Sequence, residues 1–172
     1  MQIYPVCSEP GYQSWPMIHS IASRLVCAWS SGTEHDIFEN IRFACSMISD
    51  DGGCTWKNRS VVINSPDAGD VPVGKGSDST GAMLLWIRSS GNQIVQKLFR
   101  TENGLNYELL CIPELNPIPM QITDIFSVPG LGLMCLWFSG RYRDNHNAWG
   151  TLVSTDDGRS WKQDTIEQEL PL

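Results

Sequence analysis

The chain has 172 residues, 41% of them apolar, and a formal net charge of −7, with no basic run to displace counterions from a nucleic acid or an anionic membrane. No apolar stretch approaches the roughly 18 residues of a membrane helix, and the opening Met1-Gln2-Ile3-Tyr4-Pro5-Val6 has neither the charged start nor the apolar core of a secretion signal. Seven Trp, fifteen Gly and ten Pro, without any run rich in Ala, Glu, Lys and Leu, imply short strands joined by tight turns, so the expected class is all-β.

Taken in chain order, the apolar runs divide into three sets of four predicted strands. The first set covers about residues 15–20, 25–30, 41–47 and 60–64, with a turn at Ala22 to Arg24. The second covers 73–76, 82–87, 93–99 and 107–112, with Ser77-Asp78-Ser79-Thr80-Gly81 as its first turn. The third covers 121–127, 131–138, 148–153 and 162–166, turning at Pro129-Gly130. The joining segments Ser65 to Val71 and Pro113 to Pro119 are rich in Pro, Asp and Asn, as connectors between units should be. The units therefore span about residues 10–64, 70–112 and 118–168 of a single domain.

A signature recurs between the third and fourth strands of each unit. Ser49-Asp50-Asp51-Gly52-Gly53-Cys54-Thr55-Trp56 and Ser154-Thr155-Asp156-Asp157-Gly158-Arg159-Ser160-Trp161 both fit Ser-x-Asp-x-Gly-x-(Thr/Ser)-Trp, and Arg100 to Tyr107 is a degenerate copy with Glu102, Gly104 and Tyr107 at the acid, glycine and aromatic places. Gly53, Gly104 and Gly158 recur at intervals of 51 and 54 residues. A second marker moves in step, because an apolar strand ending in Trp29, Trp86 or Trp137 precedes each copy.

The spacing suits a tight hairpin corner in which the acid accepts turn N–H groups, the glycine supplies a positive φ and the aromatic folds back beneath. On this reading Ser49, Asp51, Gly53, Trp56, Glu102, Gly104, Tyr107, Ser154, Asp156, Gly158 and Trp161 are structural. The alternating ligands and closing Glu of a calcium loop are missing from both full copies. Cys27 and Cys135 lie inside apolar runs, no pair of the six cysteines has CxxC spacing, and the three His are scattered. A reduced, cytoplasmic environment is the expectation, with no metal and no organic cofactor.

These corners resemble the Asp-box, or BNR, repeats of the sialidase (neuraminidase) superfamily, whose fold is a six-bladed β-propeller of four-stranded blades. The resemblance implies that this chain holds three blades, half of such a ring, completed by a homodimer or by the remainder of a longer chain. It further implies a glycan site on the face opposite the corners, built from the loops joining second to third strands and from the entries to first strands. There the sequence collects Glu34, His35 and Asp36, then Arg88, then Arg141, Arg143, Asp144 and His146, with Tyr12, Trp15, Lys75 and Gln121 at the entries.

By that resemblance Asp36 or Glu34 is the candidate acid that protonates a glycosidic oxygen. Arg88, Arg141 and Arg143 are candidates to grip a sugar carboxylate through bidentate hydrogen bonds, with His35, Asp144 and Trp15 as further substrate contacts. Ser14-Trp15-Pro16 stands where the family opens its first blade with Arg-Ile-Pro. Three functions follow as expectations: a glycoside hydrolase of sialidase type acting on sialylated or other acidic glycans, a noncatalytic glycan-binding or adhesion propeller, or a structural interaction module.

Overall fold

The computed structural model describes residues 3–35, 42–140 and 146–169. Every regular element among them is a β-strand, and the strands form three antiparallel sheets. Sheet 1 contains β1 (Tyr12–Ile21), β2 (Arg24–Gly32), β3 (Arg42–Ser49) and β4 (Lys57–Ile63) in chain order. Sheet 2 repeats that order with β5 (Gly69–Ser77), β6 (Met83–Ser90), β7 (Ile94–Thr101) and β8 (Glu108–Cys111). Sheet 3 contains β9 (Gln121–Ile122), β10 (Phe126–Val128), β11 (Gly132–Ser139), β12 (His146–Ser154) and β13 (Lys162–Glu169).

The third sheet departs from the single first strand expected over 121–127. Both β9 and β10 pair with β11, and Thr123 and Asp124 interrupt them. The interruption spends its polar groups elsewhere: Thr123 Oγ1 accepts the Leu136 N–H at 2.9 Å, and Asp124 Oδ1 accepts the Lys75 N–H of sheet 2 at 3.2 Å. Ahead of β1, residues 3–7 pair as no strand of these sheets, and Val6 and Cys7 pack on Cys27, Trp29 and Cys45.

Alternation along β6 explains how the sheets stack. Met83, Leu85 and Ile87 point towards sheet 1 and join Val26, Ala28, Ala44 and Ile48, whereas Leu84 and Trp86 point towards sheet 3 and join Leu133, Cys135, Trp137 and Leu152. Every residue of β6 is buried, as a strand covered on both faces must be, and its near-continuous apolar sequence follows. Successive sheets thus lie face to face, in a propeller-like arrangement of blades. The outer face of sheet 3 has no such cover, and Leu136, Phe138, Trp149 and Ile166 on it are each nearly half exposed.

Candidate functional site

The two ends of the sheets do different work. At one end lie the three corners. In the first, Ser49 Oγ accepts the Gly53 N–H at 2.9 Å, while Asp51 accepts the Thr55 N–H at 2.8 Å and the Thr55 hydroxyl at 2.6 Å. The third repeats this with Ser154, Asp156, Gly158 and Ser160, and in both the tryptophan Nε1 donates to the glycine carbonyl. These hydrogen bonds, led by that of Thr55, hold the Asp51 carboxyl at about 2. In Asp156 the hydrogen bonds from Ser160 and Ser154 likewise outweigh burial and lower the pKa.

The middle corner corrects the expectation for Glu102. Asn103, not Glu102, takes the acceptor place, receiving the Leu105 and Asn106 N–H groups at 2.8 and 3.0 Å, and Thr101 Oγ1 receives the Gly104 N–H. The turn is one residue shorter than its neighbours, which shifts the acid out of register. Glu102 faces solvent and pairs with Arg100 at 2.7 Å.

Each later corner reaches across to the sheet before it. Gly104 sits against Val26 and Ile48 of sheet 1, and Tyr107 packs into the same core; Gly158 sits against Leu84 and Leu98 of sheet 2, and Trp161 lies 5.3 Å from Trp86. Trp56 of the first corner packs on the cluster of Cys27, Trp29 and Cys45 within its own sheet instead. The second and third corners are staples between successive sheets.

At the opposite end, sheet 1 presents an aromatic cluster around one guanidinium. β3 buries Arg42, Ala44, Ser46 and Ile48 on one face, and Arg42 heads that row with no solvent exposure. Its Nε donates to Ser30 Oγ at 3.1 Å, Nη1 to the Glu34 carbonyl, and Nη2 to Ser14 Oγ and to the Tyr12 carbonyl. Burial lowers its pKa, yet a guanidinium remains charged. The rings of Tyr12 and Trp15 each lie 4.9 Å from its central carbon, within cation–π range. His35 meets Tyr12 edge-on at 5.4 Å and Trp15 at 5.7 Å.

Trp15 reaches this position through its backbone. β1 is irregular between Ser14 and Met17, and Trp15 has a φ of 53°, in the left-handed region that bulky residues avoid. Such strain persists only where surrounding contacts over-determine it. Here the Arg42 stack and the Ser14 hydroxyl bond supply those contacts. Ser30 Oγ continues the network by donating to the Asp70 carbonyl at 2.8 Å, tying the cluster to the start of sheet 2.

The structure therefore brings together Tyr12, Trp15, Glu34 and His35 and adds Ser14 and Arg42. Arg88 lies one sheet away, buried on β6, with Nη1 donating to the Met120 carbonyl at 2.5 Å and burial lowering its pKa. Lys75 is tied to Asp124 at 2.5 Å, and Gln121 donates to the Val73 carbonyl. Asp36, Arg141, Arg143 and Asp144 lie outside the described residues. Arg42 was missed in the sequence, although its in-phase spacing with Ala44, Ser46 and Ile48 was the signal that it points inward.

No protein-family model and no curated protein matches the sequence. Solved structures match the fold. A protein of unknown function from Dyadobacter fermentans aligns over 93% of this chain and 55% of its own, with a TM-score of 0.73 and 14% identity. An ulvan lyase, from a new family of polysaccharide lyase, aligns over 90% of this chain and 43% of its own, with a TM-score of 0.58 and 12% identity. An endo-arabinase from Bacteroides thetaiotaomicron aligns over 88% and 61%, with a TM-score of 0.51 and 14% identity. This chain shares its fold with carbohydrate-active enzymes. It spans less than two thirds of the length of each of these proteins. An ulvan lyase structure with a TM-score of 0.57 and 13% identity is bound to a saccharide of glucuronic acid and sulfated rhamnose.

Proposed function

We propose that this chain is a sialidase-like, Asp-box glycan-recognition module that binds an acidic glycan, of sialic acid type or another acidic sugar, on the face opposite its corners. The observation that carries the proposal is Trp15, held at a strained φ so that its indole covers the Arg42 guanidinium beside Tyr12 and His35. Flat aromatic faces bury the C–H surface of a sugar ring at little entropic cost, and the cation beneath them biases the platform towards an anionic unit. The fold it shares with an ulvan lyase bound to an acidic saccharide supports the same substrate class.

The test is a titration of the chain with sialylated, uronate-containing and neutral oligosaccharides, read by calorimetry. Acidic saccharides are expected to bind, and Trp15→Ala to weaken them roughly three- to tenfold, the value of one aromatic contact. Equal affinity of Trp15→Ala and the parent chain would overturn the proposal.

A hydrolytic role for the same face rests on the carboxylates of the 34–36 segment. Glu34 already lies against the cluster through its carbonyl bond to Arg42. In that role Asp36 or Glu34 protonates the leaving oxygen while Arg141 and Arg143 hold the sugar acid. Loss of sialoside cleavage in Asp36→Asn with glycan binding retained would separate catalysis from recognition.

A further inference from the structure

A second feature of the same face is a cleft of about 500 Å³ between the start of β7 and the connector that follows β8, within the size range of small-ligand sites. Its walls are Ile94 and Val95 on one side and Pro113, Leu115 and Ile118 on the other, with Gln96 contributing to the lining. Gln96 is 2% exposed. Its Nε2 donates to the Pro119 carbonyl at 2.7 Å, which fixes the amide orientation, and its Oε1 meets no donor among the described residues. A buried acceptor of this kind is an energetic liability unless something completes it.

Directly opposite Gln96 in the β6–β7 ladder stands Arg88. Arg88 Nη1 donates to the next carbonyl of the connector, Met120, and Arg88 Nε meets no acceptor among the described residues. Two directly paired positions thus hold one unspent acceptor and one unspent donor, both buried. A hydroxyl both donates and accepts through one atom. A carboxylate or sulfate cannot donate to Gln96 Oε1, and Glu114 on the lining of the cleft repels anions.

We propose that this cleft is a subsite for an uncharged sugar unit, whose hydroxyl donates to Gln96 Oε1 and whose ring lies between Ile94, Leu115 and Ile118. The subsite rests on the glycan reading above and extends it: the acidic unit sits at Trp15 and a neutral one at Gln96, so the preferred glycan mixes the two.

The experiment is an amide-shift titration of the ¹⁵N-labelled chain with cellotetraose and arabinotetraose as neutral probes and a uronate oligosaccharide as the acidic one. Neutral probes are expected to shift the amides of Ile94, Gln96, Leu115 and Ile118, which the uronate leaves unmoved. Gln96→Met, and independently Glu114→Trp at the exposed lip, should weaken that response about tenfold, the value of one hydrogen bond in a closed site, while Trp15 shifts with the uronate are retained. Uronate shifts at Trp15 with no neutral response in the cleft, or a cleft response indifferent to both substitutions, would overturn the subsite and assign the unspent oxygen to an ordered water only. Silence at Trp15 as well would bring down the glycan reading itself.

Discussion

Asp51 accepts both the backbone N–H and the hydroxyl of Thr55, and Asn103 performs the backbone half of the same task in the next corner with a neutral amide. The corner therefore needs an acceptor at that place rather than a charge. Asp51→Asn should fold normally at neutral pH, whereas Asp51→Ala should lower the melting temperature.

The same carboxyl makes stability depend on acidity. Its folded pKa, about 2, lies below the usual carboxylate value of roughly 3.9, so its contribution is complete above that value and is lost as pH falls towards 2. Melting curves between pH 5 and pH 2 should show a steeper decline for the parent chain than for Asp51→Asn. Parallel curves would contradict the assignment.

His19 reports on the junction of sheets 1 and 2. Its Nε2 lies 2.9 Å from Ser77 Oγ, and burial, aided by the Lys75 charge, lowers its pKa below 6.5. Folding therefore favours the neutral ring, so the stabilisation is present above pH 6.5 and is lost as pH falls through the lowered value. His19→Gln should flatten the change in melting temperature between pH 7.5 and pH 5.

Gly104 tests the stapling of one sheet to the next. A Cβ there would lie 2.6 Å from Val26 Cγ2 and 2.9 Å from Ile48 Cγ2, at a φ of 73°. Gly104→Ala should cost about 1–3 kcal/mol, as overpacking does, read as a lower urea midpoint. Gly81, with open space around the same position, should tolerate alanine with a penalty from its φ alone.

A homodimer, one of the two completions expected for a half-ring beside the remainder of a longer chain, makes its own prediction. Phe138, Trp149 and Ile166 stand side by side in register across β11, β12 and β13, each nearly half exposed. Sedimentation should give a dimer for the parent chain and a monomer for the double variant Phe138→Lys and Trp149→Lys. A monomeric parent would refute the dimer.

Much of this architecture was legible in the sequence because it is periodic. The apolar runs that end in Trp29, Trp86 and Trp137 and the three spaced glycines announce strands and corners without tertiary knowledge. The site was less legible because its central residue breaks the rule that charges point outwards. Arg42 lies at the head of an apolar strand, and only the rings of Tyr12 and Trp15, brought in by an irregularity in β1, make that position tenable. Glu102 misled for a related reason: a shortened turn moves the acceptor place by one residue, which a fixed spacing cannot register.

The segment that carries Val6, Cys7 and Glu9 covers part of one outer flank of the stack. Val6 and Cys7 cover Trp29 and Cys45, and Glu9 pairs with Arg59, whose guanidinium lies over Trp29 and Phe43. That cover is partial, because Ile18 and Val61, in register with Cys27 and Cys45 on the same face, are 50% and 57% exposed. The opposite flank, floored by Leu136 and Phe138, is bare. Among the described residues both outer faces of the stack therefore keep exposed apolar side chains that a further layer would bury.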